Sequence, residues 1–127
     1  MPASLSTSHT QRVLIVDDES ALLEALRTAL QRAGRDVVAC RTFEDARECL
    51  LNEDFDVLVT DVRLGAFNGI QLVVIARDKS PRMRIVVFSG YDDPVLRAEA
   101  ASLGATYLLK PVTSEMLLEE IAEHPQH

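Results

Sequence analysis

The sequence has no apolar run near the roughly 20 residues that a bilayer-spanning helix requires. Its opening stretch, MPASLSTSHTQR, has no apolar segment of the kind a secretory leader carries. Positive charge is also short, with 13 lysines and arginines against 20 acidic residues and a formal charge of -7. Phosphate backbones and anionic membranes attract basic faces, so this balance argues against a bare nucleic-acid or anionic-membrane binder. It suits a chain that collects divalent cations or meets a basic partner. The two cysteines, Cys40 and Cys49, lack metal-ligand spacing. They read as small buried apolar side chains in a reducing compartment. The expectation is a soluble, cytoplasmic protein without membrane contact.

With 127 residues, 47% of them hydrophobic, the chain has enough material for one domain with a real core. Short β-rich runs alternate with apolar-periodic segments along its length. Arg12 to Val16 reads as a strand and ends in Asp17-Asp18-Glu19. A helix follows with Leu22, Leu23, Leu26 and Leu30 on one face, stopped by Gly34, and its leading acids suit the helix dipole. Asp36 to Cys40 is a second strand. Thr42 and Asp45 then resemble a capping box for a helix packed through Phe43, Ala46, Cys49 and Leu50. Val57 to Val59 is a strand buried on both faces and ending at Asp61.

After a loop marked by Gly65 and Asn68-Gly69, a helix from about 68 to 79 is expected to bury Ile70, Val73, Val74 and Ala76. Met83 to Phe88 is the fourth strand, leading to Ser89-Gly90. Asp93 caps an Ala-rich helix with Pro94 at its first position. Ala105 to Leu109 is the fifth strand and runs into Lys110-Pro111. A last helix, about 113 to 123, is expected to turn Met116, Leu117 and Ile121 inward. This (βα)5 order predicts an open α/β fold, a parallel sheet covered on both faces by helices.

In such a sheet, ligands gather beyond the carboxyl ends of the strands. Those ends carry Asp17 and Asp18, Asp61, Ser89 and Lys110. Three carboxylates at one edge are unfavourable unless neutralised. A hard cation such as Mg2+, held by one or two carboxylates and several waters, does this. Together with a hydroxyl and an ammonium, it suits a phosphoryl group, which needs positioning and positive charge more than covalent help.

From about Gln11 to Glu123 the chain resembles the receiver domain of two-component response regulators. The likeness rests on VLIVDDE, LVTDVRLG, VVFSG and YLLKP. It implies a flavodoxin-like sheet of strand order 2-1-3-4-5 and transfer of phosphate from a histidine kinase, or a histidine phosphotransfer protein, to Asp61. It also implies that Asp18 and Asp61 ligate Mg2+ or Mn2+ through their side chains, with Asp17 helping through water and the backbone carbonyl of Arg63 completing the protein ligands. Ser89 and Lys110 would contact the phosphoryl oxygens, Pro111 would follow a cis peptide, and Tyr107 would be a switch residue. The output face would be the fourth helix, fifth strand and fifth helix, for a downstream target, an effector domain or a second copy.

The chain departs from the family pattern at Gly65, where many relatives have proline. That leads to the expectation of a looser segment from 65 to 68. Arg63 and Tyr91 stand where the family tunes phosphate lifetime, and both are large enough to screen water. A pseudo-receiver that binds without being phosphorylated is one alternative. A haloacid-dehalogenase-like phosphatase is another, opposed by Arg63 where those enzymes favour a second aspartate. A flavin carrier is disfavoured because no Gly-rich phosphate loop follows the first strand. The expected layout is an N-terminal tail at 1–10, the receiver at 11–123 and a short tail at 124–127, as a stand-alone regulator or an excised domain.

Overall fold

The computed structural model describes residues 9–122. The expected C-terminal tail and most of the N-terminal tail lie outside the described residues. His9 lies within them, with Nε2 2.9 Å from Asp56 Oδ2.

Five strands form one parallel sheet: β1 (Arg12–Val16), β2 (Asp36–Cys40), β3 (Val57–Asp61), β4 (Arg84–Ser89) and β5 (Thr106–Leu109). Their order is β2-β1-β3-β4-β5, the flavodoxin-like order implied by the sequence resemblance. Five helices connect or follow them: α1 (Ser20–Arg32), α2 (Phe43–Asn52), α3 (Gly69–Lys79), α4 (Pro94–Ser102) and α5 (Ser114–Ile121).

The two-residue repeat of the strands divides the core into two layers. Val13, Ile15, Val57, Val59, Val86 and Phe88 pack with the apolar stripes of α1 and α5. Leu14, Val16, Leu58, Ile85, Val87 and Tyr107 point the other way, toward residues of α2, α3 and α4. All five residues of β3 are buried, as a central strand covered on both sides requires.

Local chemistry explains the element ends. Thr42, Asp93 and Thr113 each accept a backbone N–H at the start of α2, α4 and α5. Asn68 and Gln71 form a reciprocal capping box at α3. The start of α1 differs from expectation, since its N-cap Glu19 makes no side-chain cap and its first turn carries no acid. Instead Asp17 Oδ1 accepts the Glu19 N–H at 2.9 Å, so the acids precede the helix.

Two apolar side chains expected inside are outside. Val74 is half exposed because the buried stripe of α3 runs along Gly69, Leu72, Val73 and Ala76, with Ile70 at its rim. Met116 is 40% exposed, leaving Leu117 and Ile121 as the buried contacts of α5. Between β3 and α3 the chain folds into a small hairpin. Arg63–Leu64 pairs antiparallel with Phe67–Asn68, and Gly65 turns the hairpin at φ 62°, a conformation without steric cost only for glycine.

Candidate functional site

Strand parity decides which side chains meet at the carboxyl edge. Asp17, Asp61 and Lys110 continue the alternation of Ile15, Val59 and Leu108, so all three project over the α1/α5 layer. Ser89 and Tyr107 have the parity of the opposite layer. The register makes the juxtaposition physical, because β1 lies beside β3, β3 beside β4 and β4 beside β5.

Lys110 Nζ donates to Asp61 Oδ2 at 3.2 Å and to Asp17 Oδ2 at 3.3 Å. Asp17 is fully buried and Asp61 is 6% exposed, whereas Asp18 faces solvent. One carboxylate oxygen from each of Asp17, Asp18 and Asp61 lies within 4.8 Å of the others. Burial, and then the neighbouring Asp17 charge, raises the Asp61 carboxyl above its ordinary value of 3.8, while Lys110 opposes the shift. Burial lowers the affinity of the Lys110 ammonium for its proton, but Asp61 and Asp17 outweigh that and leave it raised. The site thus holds two buried carboxylates and one ammonium, with a third carboxylate open to solvent. A small hard cation fits this all-oxygen donor set.

The loops around Asp61 are tied to it. The Arg63 N–H donates to Asp61 Oδ1 at 3.4 Å, and Val62 N–H donates to the Phe88 carbonyl at 3.0 Å. The Gly69 N–H donates to the Val62 carbonyl at 2.6 Å. A Cβ on Gly69 would stand 2.0 Å from the Asp61 carbonyl oxygen, closer than side-chain atoms come to backbone. The sequence marks Asn68-Gly69 as a turn, but gives no signal of this backbone contact. Gly69 is therefore a site-building residue that pattern reading alone misses.

Ser89 is buried, and its Oγ accepts the Tyr91 N–H at 3.1 Å. Its carbonyl accepts the Lys110 N–H at 2.8 Å, and the Lys110–Pro111 peptide is cis. Tyr107 is buried, with its hydroxyl donating to the Tyr91 carbonyl at 2.7 Å. The Arg97 guanidinium covers the Tyr107 ring at 4.7 Å and pairs with Asp92 at 2.8 Å. On the solvent side, Arg63 lies over the Tyr91 ring at 4.8 Å. The structure thus brings Asp17, Asp18, Asp61, Ser89 and Lys110 to this edge, joins Tyr107 to Ser89 through Tyr91, and turns Arg63 and Tyr91 outward.

The model of the response regulator receiver domain family matches residues 13–122. The chain is 34% identical over 114 residues to the alginate biosynthesis transcriptional regulatory protein AlgB of Pseudomonas aeruginosa, covering 88% of this chain and 25% of that protein. It is 33% identical to the response regulator protein FleR of the same organism, covering 89% and 24%. The chain thus spans about a quarter of the length of these curated relatives. Among solved structures, a CheY-like receiver domain protein from Methanospirillum hungatei superposes with a TM-score of 0.84 at 30% identity, covering 89% of this chain and 91% of that one. A Burkholderia pseudomallei response regulator, solved with a phosphorylated aspartic acid, a calcium ion and citrate, gives 0.81 at 28%, covering 87% and 66%.

Proposed function

The chain belongs to the response regulator receiver domain family of two-component systems, whose members are signalling switches rather than classical enzymes, and from that membership we propose that it is switched by phosphorylation of Asp61. The observation that carries the proposal is the placement of Lys110 Nζ between the buried carboxylates of Asp61 and Asp17, with Asp18 beside them.

In this reading a carboxylate oxygen of Asp61 attacks the phosphorus of a phosphohistidine on a histidine kinase or phosphotransfer protein. A P–O bond forms, the P–N bond breaks and the imidazole leaves. Asp17, Asp18, Asp61 and the Arg63 carbonyl would hold Mg2+ or Mn2+, which when bound supplies positive charge against the phosphoryl oxygens. Lys110 offers its ammonium to one phosphoryl oxygen and Ser89 its hydroxyl to another. Lys110 already gives two donors to the carboxylates and keeps a third, and Ser89 Oγ, which accepts the Tyr91 N–H, keeps its own proton to donate.

Phosphorylation replaces the single carboxylate charge of Asp61 with a phosphoryl group of about 1.5 to 2 negative charges and three acceptor oxygens. Movement of the Ser89 loop reaches Tyr107 through the Tyr91 carbonyl, and so α4, β5 and α5, the face offered to a target, an effector domain or a second copy. Arg63 stacked on Tyr91 screens the acyl phosphate from water and sets its lifetime. The domain spans 11–123, works in the cytoplasm and leaves nucleic acid to its partners. No described helix is long and apolar enough to cross a membrane.

The test is mass spectrometry of the chain after incubation with a small phosphodonor and Mg2+. A gain of one phosphate, lost in Asp61→Asn and without Mg2+, is expected. A folded chain that gains none is a pseudo-receiver, and the proposal fails.

A further inference from the structure

The two cysteines face each other. Cys40 ends β2 and Cys49 lies on α2, and their sulfurs are 3.8 Å apart, both as free thiols. Cys40 is buried, whereas Cys49 is partly open to solvent. Sulfurs in a disulfide are about 2 Å apart, so closure needs only a small approach of one side chain or of α2. Disulfides in reducing compartments are usually transient and redox-sensing.

The pair is also wired to the acidic edge. The Cys40 carbonyl accepts the backbone N–H of Asp17 at 3.2 Å, just past the β1–β2 ladder, where Val16 pairs with Cys40.

We infer that Cys40 and Cys49 form a reversible disulfide when the chain meets a peroxide, and that the cross-link weakens cation binding at Asp17, Asp18 and Asp61. Cys49, the accessible sulfur, reacts first. Its sulfur attacks one peroxide oxygen, the O–O bond breaks, and Cys49 becomes a sulfenic acid as one water leaves. The Cys40 sulfur then displaces the sulfenic hydroxyl, forming the S–S bond and releasing a second water. In total two thiols lose two electrons and two protons to one peroxide, and a small thiol reverses the change.

Burial keeps Cys40 away from oxidants in solution, so the chemistry starts at Cys49. Where part of the closing approach is taken up by the end of β2 rather than by α2, the bond pulls on the Cys40 carbonyl that holds the Asp17 backbone.

The disulfide does not depend on the receiver reading, but its effect on the acidic edge does. The full chain is treated with hydrogen peroxide beside Cys49→Ser, Cys40→Ala and the double variant. Mass, tryptic peptides and Mn2+ binding by electron paramagnetic resonance are then recorded. The expected result is a loss of two hydrogens, a cross-linked peptide joining Cys40 to Cys49, and Mn2+ binding about threefold to tenfold weaker, as loss of one backbone hydrogen bond allows. A thiol should restore all three, and the double variant should keep reduced-state binding under peroxide. Only higher oxides of Cys49, or only intermolecular dimers, would overturn the disulfide. A disulfide that leaves Mn2+ binding unchanged would overturn the coupling. Reduced chain that binds no Mn2+ would instead count against the receiver reading, and the mass and peptide readouts would still decide the cross-link.

Discussion

Asp61 is poised at a cost to the protein that carries it. Its carboxylate is buried beside Asp17, and Lys110 only partly offsets the two charges. Without a divalent cation, Asp61→Asn should therefore stabilise the chain, by about 1 kcal/mol, read as a higher Tm. The sign of the pH dependence follows from the same shift. Because the folded-state pKa of Asp61 is raised, the folded chain binds a proton there more readily than the unfolded chain. The penalty is thus full above the folded pKa and is relieved as pH falls through it, vanishing below the unfolded value near 3.8. The Tm advantage of Asp61→Asn over wild type should shrink across that acidic window. A gap constant with pH would refute the assignment. Mg2+ should raise the Tm of wild type and raise it less in Asp18→Asn, since a ligand that binds only the folded state stabilises it by mass action.

At the scale of elements, the joint between β3 and α3 is the most constrained. Gly69→Ala places a methyl group 2.0 Å from the Asp61 carbonyl oxygen, so backbone must move. The expected loss is about 2–4 kcal/mol in urea denaturation, with weaker Mg2+ binding in the fraction that folds. At the other end of α3, Arg77 donates to the carbonyls of Leu103, Pro81 and Met83, each at 2.8 Å. It pins α3 to the turn before β4 and the turn before β5. Arg77→Met should cost about 2–3 kcal/mol by leaving those carbonyls short of donors, measured by the same denaturation.

These two joints also mark where sequence reading stops. The strands were legible as short apolar runs, and Asp17, Asp61 and Lys110 were legible as a group because three of those runs end abruptly in charge. The outward turn of Val74 and Met116 was not, because apolar identity does not say which neighbour a helix packs against. Gly69 and Arg77 act on backbone from distant segments, and such contacts leave no local pattern.

For the whole molecule, the two layers beneath the sheet divide the work. The charged trio stands over α1 and α5, while Ser89 and Tyr107 open toward α3 and α4. In the proposed switch, charge introduced on one side would be sensed by side chains rooted in the other. Arg97 holds Tyr107 from above, and Asp92 holds Arg97. Arg97→Ala should loosen Tyr107 without touching Asp61. Phosphate uptake should stay within about twofold of wild type, while the protein's response to phosphorylation, read by Tyr fluorescence or amide exchange at α4, should change. Unchanged exchange would mean that Arg97 is only a surface cation.

The bond from Lys110 to Asp17 joins residues 93 positions apart. During synthesis the acids of β1 and β3 emerge long before the ammonium that balances them. Until β5 is added to the sheet edge, a growing chain carries an uncompensated acidic pair and no Lys110 to meet a phosphoryl group. If Asp61 is the acceptor proposed above, a fragment that ends before Lys110 would offer it without its counter-charge.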